Sequence, residues 1–158
     1  RKIMDKIYVV YWSQTGNTEA MAEAVARGIR SEGKESAVVE VGSISPEELK
    51  EEAVFALGCP AMGAEVLEES EMEPFVETLE AFVKGKTVGL FGSYGWGDGE
   101  WMRDWEARMQ QAGANVIGGE GVICQETPDQ EAWEKSCSFV DRREKKGQKD
   151  ERCNCRRP

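Results

Sequence analysis

Apolar residues arrive in this chain as short unbroken runs, separated by stretches in which they recur every three or four positions. The first run, Ile7-Tyr8-Val9-Val10-Tyr11-Trp12, ends in the polar turn Ser13-Gln14-Thr15-Gly16-Asn17-Thr18. Behind it Met21, Ala22, Val25, Ala26 and Ile29 keep a helical repeat, with Gly33 as the expected C-cap. Ser36 to Val41 reads as a strand, and Ser45-Pro46-Glu47-Glu48-Leu49 as a capped helical turn with proline in its first position. Ala53 to Leu57 is a further apolar run that stops at Gly58-Cys59-Pro60. Beyond an acidic connection, a helix is predicted from near Glu73-Pro74, with Phe75, Val76, Leu79, Phe82 and Val83 on one face. Thr87 to Phe91 is the next strand, and it runs into the glycine-laced Ser93-Tyr94-Gly95-Trp96-Gly97-Asp98-Gly99. A helix over about residues 100–112, closed by Gly113, leads to a fifth strand region at Asn115–Ile117 and Gly121–Cys124. Pro128 opens a last helix through Trp133, Cys137 and Val140.

Strands alternating with amphipathic helices specify an α/β sheet, mostly parallel and covered on both faces. Ligands of such sheets sit beyond the carboxyl ends of the strands. The loops 13–18, 58–65 and 92–99 each follow a predicted strand, so all three are expected at one edge of the sheet.

Composition narrows what could bind there. The 158 residues suit one domain with a full hydrophobic core. Residues 1–140 are read as that domain, and 141–158, crowded with charge, as a polar tail. Twenty Lys and Arg against 30 Asp and Glu leave a charge of −10, which disfavours nucleic acid and anionic membranes and favours a basic protein partner. No apolar run has the length of a membrane span, no signal-peptide pattern opens the chain, and the five cysteines lack paired CxxC spacing. A reduced cytoplasmic protein is the expectation. Histidine is absent, which excludes Ser-His-Asp and Cys-His catalysis and the commonest metal ligand; no metal site is expected.

The first loop is an anion seat of an unusual kind. A hydroxyl-rich turn leading into a helix N-terminus offers unpaired amides and the positive end of the helix dipole. It contains no Lys or Arg, so amides and the hydroxyls of Ser13, Thr15 and Thr18 would have to hold a phosphate. It is neither a Walker loop nor GxGxxG, and a plain N-cap is the bland alternative. In Met62-Gly63-Ala64-Glu65, Gly63 admits positive φ and suits a turn that can rearrange; alone it reads equally as an ordinary loop. Trp96, flanked by Gly95 and Gly97, suggests a stacking platform for a planar ligand, against the alternative of a Trp folded back on its own domain. Trp101, Trp105 and Trp133 read as packing residues. Glu65, Glu68, Glu69, Glu71, Glu73, Asp98 and Glu100 gather near the same edge, either as a solvated face or as a docking surface for a basic partner.

Together these loops resemble the flavodoxins, in particular the short-chain kind of anaerobic bacteria. The resemblance rests on Tyr11-Trp12-Ser13-x-Thr15-Gly16-Asn17-Thr18, Leu57-Gly58-Cys59-Pro60-Ala61-Met62-Gly63 and Leu90-Phe91-Gly92-Ser93-Tyr94-Gly95-Trp96-Gly97, joined by Trp101-Met102 and Gly113-Ala114. It spans roughly residues 6–139. It implies a doubly wound five-stranded parallel sheet of order 2-1-3-4-5 with helices on both faces.

The resemblance further implies non-covalently bound FMN. Ser13, Gln14, Thr15, Gly16, Asn17 and Thr18 would hold its phosphate, with Ser93 and the Pro60-Ala61 backbone near the phosphate and ribityl chain. Met62 would face the inner side of the flavin and Trp96 the outer side. Glu65 would accept from the pyrimidine imide, and amides in Tyr94-Gly95-Trp96-Gly97-Asp98 would meet the pyrimidine carbonyls. The peptide after Gly63 would turn over on one-electron reduction and stabilise the neutral semiquinone. Two positions depart from the family. Gln14 replaces a common glycine, though only its amide is needed, and Ala64 stands where Gly, Asn, Asp or Ser is frequent.

The implied function is a low-potential one-electron carrier that shuttles electrons between redox proteins and has no substrate turnover of its own. Its partners would be redox proteins of the ferredoxin-dependent oxidoreductase type, docking at the acidic FMN edge, with the carrier a monomer. An FMN-dependent NAD(P)H or quinone reductase on the same fold is the alternative, although Trp96 would cover the flavin face such an enzyme needs. A receiver-type signalling domain would need acidic residues after its first strand, where this chain has Trp12-Ser13.

Overall fold

The computed structural model of the chain describes residues 6–13, 16–31, 34–62, 67–94, 99–117 and 121–125. Within them the order is β1 (Lys6–Tyr11), α1 (Asn17–Ser31), β2 (Glu35–Glu40), two short 3-10 turns, β3 (Val54–Gly58), α2 (Met72–Leu79), β4 (Thr87–Tyr94), α3 (Glu100–Gln111), β5 (Asn115–Val116) and β6 (Val122–Gln125). The strands lie in the order β2-β1-β3-β4-β5, with β6 also on β4, and every pairing is parallel. This is the doubly wound order expected.

The strands read as continuous apolar runs because the sheet is covered on both sides. Side chains alternate between the two faces at the strand period of two. Ile7, Val9 and Tyr11 pack with Ala56 and Phe91 against Met21, Ala22, Val25, Ala26 and Ile29 of α1. Val10, Phe55, Leu57, Val88 and Leu90 face the other way, against Phe75, Val76 and Leu79 of α2 and Trp101, Trp105 and Met109 of α3. The helical periodicity of α1 therefore marks one stripe, and that stripe is fully buried.

Several boundaries differ from the sequence pattern. The helix expected from Glu73-Pro74 to Val83 begins at Met72 and ends at Leu79. Phe82 and Val83 follow in a turn, where Phe82 N–H donates to the Leu79 carbonyl at 2.9 Å, and both still pack on the core. The expected loop over 92–99 starts later, because β4 continues through Gly92, Ser93 and Tyr94, paired with β6 up to Gln125. The fifth strand region is two pieces. Thr87 faces Asn115 but Phe91 faces Val122, so three extra residues are accommodated between β5 and β6. The turn at Pro46–Leu49 is a 3-10 helix, and its Glu48 carboxylate accepts the Ser45 N–H at 2.8 Å. Gly33, the last predicted helix and the 141–158 tail lie outside the described residues.

Candidate functional site

The three loops leave the sheet side by side because their strands end in register. Tyr11 pairs with Gly58, and Gly58 with Phe91. Beyond the strand ends the ladder continues into the loops. Trp12 N–H donates to the Gly58 carbonyl at 3.0 Å, Cys59 N–H to that of Phe91 at 3.1 Å, and Ala61 N–H to that of Ser93 at 2.9 Å. Gly92 lets these backbones approach. A Cβ there would lie 2.1 Å from the Cys59 oxygen.

The first loop closes on the N-terminus of α1. Ser13 Oγ accepts the amides of Gly16 at 3.1 Å and Glu19 at 3.3 Å, so its own hydrogen remains available as a donor. Gly16 has φ +93°, in the left-handed region that glycine enters most readily. Among the described residues no group accepts the amides of Asn17 and Thr18. The Thr18 hydroxyl meets that of Ser93 at 3.0 Å across the gap between α1 and β4. These are neutral donors at the positive end of a helix dipole, in a loop whose own residues include no Lys or Arg, and they could hold a phosphate monoester.

The second loop is braced at both ends. Cys59 is fully buried, its thiol reaching the Pro60 carbonyl while its sulfur accepts the Glu68 N–H at 3.4 Å. Burial pushes the Cys59 thiol up to about 12, so it stays protonated. The Cys59 carbonyl accepts the Trp101 indole N–H at 3.1 Å, which ties this loop to the start of α3. Trp101 also lies beside Tyr94, ring centroids 5.5 Å apart. Trp101 is thus a strut between the second and third loops as well as a packing residue. The buried carbonyl it serves carries no sequence signal, so the role could not be foreseen.

The acidic cluster divides. Glu68, only 6% exposed, accepts the amides of Ser70, Glu71 and Met72 at 2.7, 2.8 and 3.0 Å and caps α2. Burial alone would raise its pKa, but the backbone donors hold it below the ordinary carboxylate value. Glu73 pairs with Arg108 of α3 at 2.6 Å, and Glu80 pairs with the same guanidinium. Burial works against the Arg108 charge, yet its two carboxylate partners raise its pKa. Glu68 and Glu73 are therefore not part of a free acidic rim; Glu69, Glu71 and Glu100 are exposed.

Of the expected site residues, Ser13, Gly16, Asn17, Thr18, Pro60, Ala61, Met62, Ser93 and Tyr94 lie at this one edge of the sheet. Met62 and Tyr94 are half-buried. Gln14, Thr15, Gly63, Ala64, Glu65, Gly95, Trp96, Gly97 and Asp98 lie outside the described residues. Among the described residues no group of acidic, cysteine or histidine side chains could hold a metal ion, and no helix is long and apolar enough to cross a membrane.

Residues 9–139 match the family model described as Flavodoxin. A flavodoxin of Clostridium beijerinckii is 52% identical over 122 residues, covering 77% of this chain and 88% of the relative. A flavodoxin of Megasphaera elsdenii is 47% identical over 123 residues, 78% of this chain and 88% of that one. The solution structure of two-electron reduced Megasphaera elsdenii flavodoxin superposes with a TM-score of 0.72 at 42% identity, over 84% of this chain and 98% of that structure.

Proposed function

This chain belongs to the flavodoxin family, an FMN-binding electron-transfer protein rather than an enzyme, and from that premise we propose that it is a low-potential one-electron carrier working through a stabilised neutral semiquinone. Bound FMN supplies the redox chemistry; the chain binds it, orients it and sets the electrostatics around it.

The observation that supports the assignment best is the neutral anion seat at α1, locked to the ends of β3 and β4 by Thr18–Ser93 and Ala61–Ser93. In this reading Ser13 to Thr18 anchor the phosphate, Ser93 stands behind Thr18 at the phosphate end, and the Pro60-Ala61 backbone borders the ribityl chain. Met62 and Trp96 stand on opposite flavin faces, Glu65 takes the imide N–H, and amides of Tyr94 to Asp98 meet the pyrimidine carbonyls. Acidic surroundings make further negative charge on the flavin unfavourable, which lowers the potential of the second electron. Exposed Glu69, Glu71 and Glu100 favour basic faces of redox partners, such as ferredoxin-dependent oxidoreductases, and a cytoplasmic monomer suits that traffic.

Titration of apoprotein into FMN tests the assignment by flavin fluorescence. The expected result is quenching at one flavin per chain, with no NAD(P)H oxidation by the holoprotein. Steady NAD(P)H turnover at catalytic protein concentration would contradict the carrier role.

A further inference from the structure

The Thr18–Ser93 pair reaches further than a brace. Both residues are buried, at 1% and 5% exposure, and their oxygens lie 3.0 Å apart. Each hydroxyl carries one hydrogen, and their contact uses only one of the two. The other is left for a third group. Thr18 is the second residue of α1, beside the amides of Asn17 and Thr18 that have no partner among the described residues. Ser93 is held by the sheet: it pairs with Cys124 in β6, and its carbonyl accepts the Ala61 N–H at 2.9 Å. The rigid member of the pair is therefore Ser93, and the member next to the anion seat is Thr18.

We propose that Ser93 is a positioning residue for the phosphate monoester, its hydroxyl donating to Thr18 Oγ1 and so turning the Thr18 hydrogen toward the anion at the N-terminus of α1. This rests on the reading that Ser13 to Thr18 seat the FMN phosphate. The direction follows from charge. Were Thr18 to donate to Ser93, its lone pairs would face the anion, in a loop with no Lys or Arg to offset the repulsion. With Ser93 donating, Thr18 presents a hydrogen and gains a charge-assisted bond. Ser93 thereby improves phosphate binding without touching the phosphate.

FMN and riboflavin, which lacks the phosphate, separate this role from packing when each is titrated into apoprotein. Ser93→Ala weakens FMN by about fivefold to tenfold, the worth of one hydrogen bond to a charged group, and leaves riboflavin within about twofold. Thr18→Val preserves the shape of Thr18 and removes its hydroxyl; on that background Ser93→Ala costs no further FMN affinity. Equal losses for FMN and riboflavin, or no loss for either, would overturn the proposal. So would an undiminished Ser93→Ala effect in the Thr18→Val protein, because Ser93 would then meet the phosphate itself. A wild-type protein that binds neither flavin would instead sink the phosphate-seat reading, and this inference with it.

Discussion

The indole N–H of Trp101 donates to the carbonyl of Cys59 at 3.1 Å, joining the first turn of α3 to the loop that follows β3. Both residues are buried, so the bond has no water to replace it. Trp101→Phe keeps an aromatic ring beside Tyr94 but strands the Cys59 carbonyl. It should lower apoprotein stability by about 1–3 kcal/mol, the usual cost of a buried unsatisfied polar group, together with some loss of packing. Urea unfolding followed by circular dichroism reads the change; a midpoint within error of wild type would show that the bond contributes nothing.

Glu68 lends stability that depends on its charge. Its pKa is lowered in the fold, so the contribution is fully present above the ordinary carboxylate value of 4.5 and disappears as pH falls through the lowered value. Glu68→Gln should cost about 1–2 kcal/mol at pH 7, as for loss of a charged helix cap. The difference from wild type should hold down to about pH 5 and shrink below the unfolded value. A difference that is the same at pH 3 and pH 7 would mean that packing, not charge, is responsible.

Cys59 should be chemically silent in the folded protein. With its thiol pushed up to about 12, almost none is thiolate at pH 8, and the sulfur is fully buried. Its contribution to stability is complete below its ordinary value of 9.0 and is lost as pH climbs through about 12. Iodoacetamide at pH 8 should leave the Cys59 peptide unmodified in native protein and label it in urea, as read by peptide mass spectrometry. Native labelling at the urea rate would place Cys59 in a loop that opens freely.

The turn at Gly63-Ala64 is expected to tune the flavin. A type II′ turn needs positive φ at its first central residue, which a glycine at position 63 would supply. Gly63→Ala should therefore narrow the gap between the two one-electron potentials. Ala64 tolerates that turn but disfavours by about 1 kcal/mol a type II turn with positive φ at its own position, so Ala64→Gly should shift the potentials. Spectroelectrochemistry measures both; potentials unchanged in the two variants would remove the turn from the account.

Much of this was legible in the chain because sheet burial writes itself into sequence. Val9 and Val10 face opposite layers and are both fully buried, so β1 reads as an unbroken apolar run rather than an alternation. That Ser13 and Thr18 lie at the start of α1, at the carboxyl edge of the sheet, was legible because hydroxyls and glycine between an apolar run and a helical repeat mark a strand-to-helix turn. Other features depend on tertiary partners that no local pattern encodes. Tyr94 belongs to a strand because β6 returns to pair with it, although its own segment is rich in glycine. Glu68 looks like any residue of a solvated acidic run, yet the amides of Ser70, Glu71 and Met72, leading into α2, fold over it. Likewise Glu73 is drawn out of that run by Arg108, 35 residues away in the chain.

The central claim, a one-electron FMN carrier, is tested most directly by anaerobic titration of the FMN-loaded protein with dithionite. The absorption spectrum should pass through a blue neutral semiquinone in high yield before full bleaching, giving two well-separated one-electron potentials. Direct two-electron bleaching with no intermediate band would contradict it.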